Sequence, residues 1–404
     1  MRDVGSATNR RSEEPPRRAL RVAGLFAGIG GLELGLERAG HQTVVLCEND
    51  RGAKHVLRQH FAGVELRGDV RRLRAKDIQT NVDVLTAGFP CQDLSQAGAT
   101  AGIGGEKSSL VGEVFRLLSR RTLPWVVLEN VPFMLHLDRG RAMRRIVERL
   151  EELGYRWAYR VVDAMAFGLP QRRRRVFLVA SRQHDPAPVL LADEASPPRQ
   201  AAWQPERAVG FYWTEGNRGV GWAVDAVPTL KGGSGLGIPS APAVLLPDGR
   251  VVHPSIEGVE RLQGFPAGWT EPAARAVPDR YRWRMVGNAV SVRAAEWLGR
   301  RIAEPGVVDP GRLGDPIGPR DSWPSAACSH GGGRIRVRIG EWPERVDPQP
   351  IDRFLGGAKP LSKRATLGFV SRAERAQRNG KLTFPSGFLE RLRDHAESLR
   401  QEVG

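Results

Sequence analysis

Cysteine is scarce in this chain. Its 404 residues hold three, Cys47, Cys91 and Cys328. They lie far apart and form no CxxC or Cys/His pairing, which excludes a disulfide framework and a structural zinc site. No metal is expected, and a cysteine that matters here works as a reduced thiolate in the cytoplasm. Long apolar runs are missing too. None approaches the roughly 20 residues a membrane-spanning helix needs, so no membrane partner is expected. Met1 to Arg18 is basic and polar with no apolar core, which excludes a secretory signal. Acidic charge is also in deficit: 45 Asp and Glu face 61 Lys and Arg, a formal net charge of +16. Most of the excess is arginine, whose planar fork suits phosphate. A polyanion, nucleic acid first, is the expected partner, although a merely basic surface would account for the charge equally well.

What is present is an ordinary globular composition, 41% hydrophobic, long enough for two or three folded units. From Leu20 onward, short apolar runs alternate with amphipathic stretches. Arg21 to Phe26, Thr43 to Glu48, Val82 to Thr86, Trp125 to Glu129, Tyr155 to Val162 and Arg175 to Ala180 read as strands. Gly31 to Ala39, Arg51 to His60, Ser109 to Arg120 and Met143 to Leu153 read as helices. This alternation predicts an α/β fold, a parallel sheet with helices on both faces. The strands lack polar alternation, as strands buried on both sides do. Residues 1–19 are expected as a disordered basic tail and 20–182 as a catalytic and cofactor-binding domain. Residues 183–255, rich in Pro, Gly, Ala and Trp, form a separate loop-rich unit. Helical spacing returns at Ile256 to Leu262 and Asn288 to Arg301, so 256–304 completes the first domain. Residues 305–404 read as a linker, Pro305 to Pro324, and a basic extension ending in a helix from Ser386 to Gln401. In that extension Arg334, Arg336 and Arg338 alternate with apolar residues, which suggests a strand with a basic face.

Several motifs carry chemistry. Phe26-Ala27-Gly28-Ile29-Gly30-Gly31 lies between a strand and a helix, where glycines let backbone approach a ligand closely. Glu48 ends the second strand, where an acid commonly holds ribose hydroxyls, and Asp69 could accept from an adenine amino group. Together they suit an adenosine-bearing cofactor, with a nicotinamide dinucleotide still open. Pro90-Cys91 follows the strand Val82 to Thr86 and so falls at the same sheet edge. By itself Cys91 could as well be an inert core thiol. Glu129 ends the next strand, one strand–helix–strand step on, and a buried carboxylate there needs a task or a partner; the plainer reading is a cap. Gln171 is followed by four arginines entering a strand, on which Arg173 and Arg175 point one way and Arg172 and Arg174 the other. Arg261 to Pro266 and Val286 to Val290 are unremarkable alone.

In order and spacing, FAGIGG, GFPCQDLS, LENV, QRRRR, RLQGFP and GNAV together resemble the prokaryotic DNA (cytosine-5)-methyltransferase family. The match spans about Arg21 to Arg182 and Ile256 to Arg301. It implies a Rossmann-like methyltransferase sheet with a small, loop-rich target-recognition domain. S-adenosylmethionine is the implied methyl donor, with Phe26, Ala27, Gly28, Gly30, Gly31, Glu48, Asp69, Pro90, Leu110, Asn288 and Val290 lining its site. Cys91 is the implied nucleophile, Glu129 the group at cytosine N3, Arg175 the contact to O2, and Arg173 a residue positioning backbone or the cysteine loop. Thr229-Leu230 followed by Lys231-Gly232-Gly233 resembles the family's recognition element. The implied partner is double-stranded DNA, met by a monomer, with a cognate restriction endonuclease or defence proteins working alongside. Rival readings are the same chemistry on transfer RNA, a catalytically silent DNA-binding relative, and a nicotinamide dehydrogenase. The last would not explain Pro90-Cys91, Glu129 and Arg175 together.

Overall fold

The computed structural model describes residues 18–90, 110–198, 203–214, 221–232, 242–380 and 383–399. Residues 1–17, most of the expected tail, lie outside them. The chain builds one ten-stranded sheet and one smaller five-stranded sheet. In the large sheet β1 (Arg21–Leu25), β2 (Gln42–Cys47), β3 (Glu65–Arg67), β4 (Val84–Ala87) and β5 (Trp125–Asn130) run parallel in the order β3-β2-β1-β4-β5. Their apolar runs are buried on both faces. Val22, Val84, Trp125 and Val127 pack with Leu36, Trp297 and Leu298. Ala23, Leu85, Val126 and Leu128 pack on the opposite face with Val114, Leu117, Met143 and Ile146. After β3 the chain crosses back over β1 to reach β4. Strand order therefore reverses between β1 and β4, and a crevice opens there at the strands' carboxyl ends.

The expected all-parallel sheet holds only for this half. β8 (Arg174–Ser181) runs antiparallel to both β5 and β6 (Arg156–Asp163) and lies between them. The reason is the short connection: residues 164–173 are too few for a crossover helix, which takes about a dozen residues or more. Beyond β6, the sheet continues antiparallel through β15 (Ala326–His330), β16 (Gly333–Val337) and β14 (Leu313–Pro316). The segment expected as linker and extension thus forms the sheet's outer edge. Its arginines bind the body: Arg334 pairs with Glu151 at 2.6 Å and Arg336 with Asp321 at 3.2 Å. Cys328 is buried in β15.

The smaller sheet has the order β10-β9-β12-β13-β17. Its strands are β9 (Val209–Phe211), β10 (Trp222–Val224), β12 (Ala243–Leu245), β13 (Val251–His253) and β17 (Lys359–Pro360). The helices Lys363–Arg378 and Phe388–Ser398 cover it, with the Phe369 ring tilted 4.5 Å from that of Phe211 and Phe388 edge-on to it at 5.5 Å. The unit read from residues 183–255 therefore shares its core with residues past 358. A further short strand, β11 (Val227–Pro228), pairs with β7 (Gln171–Arg172) and joins this unit to the arginine run. Toward the end of the first unit, the helix expected from Asn288 starts at Val292. A separate helix, Asp279–Asn288, precedes it. Among the described residues no helix is long and apolar enough to cross a membrane.

Candidate active site

The glycine turn after β1 is bent through three left-handed residues, Phe26 (φ 54), Gly28 (φ 56) and Gly30 (φ 84). Such a conformation is rare for phenylalanine and costs about 1–3 kcal/mol, held by its surroundings. Gly30 lies against Phe61 and leads into the helix Gly31–Arg38. Gly31 has no room for a side chain, because a methyl group there would collide with the Val290 carbonyl. The turn is braced by Glu48: Gly28 N–H donates to Oε2 at 2.7 Å and Asp50 N–H to Oε1 at 2.7 Å. Burial nevertheless holds the Glu48 carboxyl above its ordinary range, the two backbone donors opposing it.

Above this edge lies a cavity of about 330 Å³. Its wall includes Phe26, Ala27, Gly28, Gly31, Glu48, Asp69, Pro90, Leu110, Glu129, Asn288 and Val290. Of the residues named from sequence for the donor, Gly30 alone is not in the wall. Asp69 stands at the outer rim, its carboxylate paired with Arg71 at 3.0 Å and held below the usual range chiefly by that side chain. The sequence reading passed over Glu33, Asn49, Asp50, Arg284 and Met285, which also line the cavity. Cys91 lies outside the described residues and directly follows Pro90 in the chain. Cys47 shares the wall, but burial pushes its thiol up to about 12, and Cys328 is pushed up to about 11. Neither supplies a thiolate near neutral pH.

Glu129, 7% exposed, sits at the end of β5 with Oε1 3.1 Å from Arg175 Nε. Desolvation raises its carboxyl above the ordinary range, against the pull of Arg175 and then Arg173. Its neighbour Asn130 was not singled out from sequence. Asn130 Nδ2 donates to the Phe89 carbonyl at 2.9 Å and Oδ1 accepts from Val131 N–H at 2.9 Å. It therefore fixes the Gly88-Phe89-Pro90 segment that precedes Cys91. Arg172 and Arg174 face solvent, Arg174 against Glu341, while Arg173 and Arg175 turn inward.

Arg173 is fully buried and reaches three carbonyls: Leu230 at 2.9 Å, Gly287 at 3.2 Å and Ala289 at 2.6 Å. Gln171 works beside it. Its Oε1 accepts from Leu230 N–H at 3.0 Å, and its Nε2 donates to the Leu262 carbonyl and to Gln263 Oε1. Gln263 in turn donates to the Val286 carbonyl at 2.9 Å. Thr229 Oγ1 donates to the Arg172 carbonyl, and Lys231 lies over the Tyr212 ring. At Gly287 any side chain would strike the Lys231 carbonyl, so the Thr229 to Gly232 element rests directly on the cavity wall at Asn288. Gly233 lies outside the described residues.

A doubly wound sheet, an acid-braced glycine turn at its switch point and a strand-end carboxyl in the same cavity wall as Pro90 are features of an α/β enzyme with a cofactor pocket. The chain belongs to the C-5 cytosine-specific DNA methylase family, whose model matches residues 20–208. It is 44% identical over 371 residues to Type II methyltransferase M2.BsuMI of Bacillus subtilis (strain 168), covering 88% of this chain and 94% of that protein. Type II methyltransferase M.DsaV of Dactylococcopsis salina is 29% identical over 318 residues, 71% of this chain and 86% of that one. Among solved structures, the Dnmt2 methyltransferase of S. pombe superposes with a TM-score of 0.52 at 16% identity, over 70% of this chain and 97% of that one. That likeness is one of fold.

Proposed function

We propose that this enzyme methylates carbon 5 of a cytosine turned out of double-stranded DNA, through a covalent adduct on Cys91. The observation that carries the reading is the buried Glu129–Arg175 pair, whose carboxyl shares the cavity wall with Pro90, the residue before Cys91 in the chain. S-adenosylmethionine fits the cavity by its chemistry, and when bound supplies an electrophilic methyl group. Phe26 offers a ring face to adenine, Asp69 an acceptor at the rim, and Glu48 a desolvated carboxylate for ribose hydroxyls. Asn288 and Val290 close the wall, and Leu110 stands at the start of its helix in the same wall.

Carbon 5 of cytosine is a poor nucleophile. Addition of the Cys91 thiolate to carbon 6 forms an S–C6 bond, shifts the C5=C6 π pair into C4–C5 and the C4=N3 pair onto N3, and leaves an enamine whose carbon 5 is nucleophilic. Glu129 meets the charge that builds at N3. Its upward shift keeps a proton available for that hydrogen bond. Arg175 stands beside it for the O2 oxygen. After transfer the carbon-5 proton leaves to water and the S–C6 bond breaks. Thiolate and methyl group must approach the faces of the ring, which stacking covers, so the base must leave the helix. The Thr229 to Gly233 element reads the site from the groove while Arg173 and Gln171 hold it on the catalytic body. Similarity to Type II methyltransferases supports an activity exercised alongside a cognate restriction endonuclease, by an enzyme acting as a cytoplasmic monomer.

Target DNA carrying 5-fluorocytosine tests the step, since fluorine cannot leave carbon 5 as a proton does. Wild-type enzyme with donor is expected to give a denaturant-resistant protein–DNA band, mapped to Cys91 by mass spectrometry. A trapped adduct on another residue, or none with an active enzyme, contradicts the mechanism.

A further inference from the structure

Among the charged residues of the cavity wall, Glu33 is deeply buried and has no task so far. Glu33 lies in the first turn of the helix Gly31–Arg38 and is 1% exposed. A solvated first-turn acid would simply favour the helix dipole, but this one points inward, into a niche made for it. Thr86, fully buried in the middle of β4, donates to its Oε1 at 3.0 Å. Gly24 on β1 supplies the space, since a methyl group at that position would collide with the same oxygen. The second oxygen, Oε2, is buried and has no hydrogen-bond partner. The residue forms part of the cavity wall together with Gly31, Gly88 and Glu129.

A buried carboxyl oxygen without a donor is costly and calls for one. The charged groups that act on Glu33 are Glu37 on its own helix and Glu48 at the end of β2, both acidic. No cation offsets them among those groups, so the niche is ready for a positive ligand. Glu48 and Asp69 take the ribose and adenine portions in the reading above, which leaves the Gly31 to Glu33 end of the cavity for the rest of the donor.

We propose that Glu33 Oε2 receives the cationic amino-acid end of the methyl donor. The inference rests on the assignment of this cavity to S-adenosylmethionine. The α-ammonium of that ligand supplies the missing hydrogen-bond donor and neutralises the carboxylate. Burial raises the free carboxyl to about 7, so it is partly protonated before the ligand arrives and is drawn into its charged form by it. Its role is to bind and orient the donor, and the proton bookkeeping on cytosine is untouched.

Isothermal titration of the full chain without DNA separates the possibilities. Glu33→Gln keeps the shape and removes the charge. It is expected to weaken S-adenosylmethionine and S-adenosylhomocysteine alike by about tenfold or more, as for a lost charged hydrogen bond. Methylthioadenosine, which has no amino-acid end, is expected to bind variant and wild type with equal affinity. Equal affinity of the variant for S-adenosylmethionine, or a parallel loss of methylthioadenosine, overturns the proposal. Wild-type protein that bound none of the three ligands would instead sink the donor assignment beneath it. Should E33Q not fold, Thr86→Val serves, with the same selective pattern expected and an unchanged affinity for S-adenosylmethionine counting against it.

Discussion

Glu129 and Glu33 are both buried carboxyl groups, yet their surroundings differ in one decisive respect. Glu129 has Arg175 at 3.1 Å, whereas the charges acting on Glu33 are those of Glu37 and Glu48. The consequence for Glu33 is a cost to folding whenever it ionises. Its carboxyl stands at about 7 in the folded chain against an ordinary 4.5. The stability it contributes is therefore complete below the ordinary value and is lost as pH rises toward about 7, to a limit of roughly 3 kcal/mol. Thermal melts of wild type and E33Q without donor should coincide near pH 4.5 and separate as pH rises to about 8, with E33Q the more stable. A gap independent of pH would show that Glu33 is not the group titrating. Legibility at this scale followed the local pattern. Glu48 and Glu129 end apolar strands, so their burial and placement could be read directly. Glu33 stands at a helix start, where an acid reads as solvated; its burial depends on Gly24 and Thr86 from two other strands. Arg173 was read as a positioning residue, but that its partners are the Leu230, Gly287 and Ala289 carbonyls depends on contacts across more than fifty residues of chain.

Elements were legible in proportion to their length and periodicity. The buried parallel strands and the helices Arg51–His60 and Leu110–Arg120 carry strong patterns and fall where the sequence puts them. The smaller sheet does not, because its strands are two or three residues long, too short to show alternation. The C-terminal strands were hidden by glycine and proline, which mark a linker in most chains and here mark turns between edge strands. Their removal gives a direct test. Without residues 305–404, β6 loses the partner β15, and Phe211 loses Phe369 and Phe388. Losing buried aromatic contacts of this kind costs about 3–5 kcal/mol each, comparable to a domain's whole stability. The truncated chain should lack a cooperative melt by circular dichroism and aggregate on expression. A soluble truncation that melts cooperatively and binds donor would make the segment a dispensable appendage.

Across the whole molecule, the cavity lies at the edge of the large sheet, and the smaller unit reaches it through the Thr229 to Gly232 element that rests on Gly287 and Asn288. The switch point between β1 and β4 places the glycine turn and the Pro90 segment together. β5 and β8 then bring in Glu129 and Arg175, and the return helices bring Asn288 and Val290. The Thr229 to Gly232 element is not tethered loosely to this body: Gln171, Arg173 and Gln263 hydrogen-bond it and the return segment to one another in a buried relay. The net charge of +16 supplies long-range attraction to DNA and no sequence preference. The central claim is that this assembly places a methyl group on cytosine carbon 5 through Cys91. Genome-wide sequencing of 5-methylcytosine in a methylation-free host expressing wild type or Cys91→Ala tests it most directly. Methylation confined to one short motif is expected with wild type and none with the variant. Methylation by Cys91→Ala at the wild-type level, or none by a folded, donor-binding wild type, would contradict it.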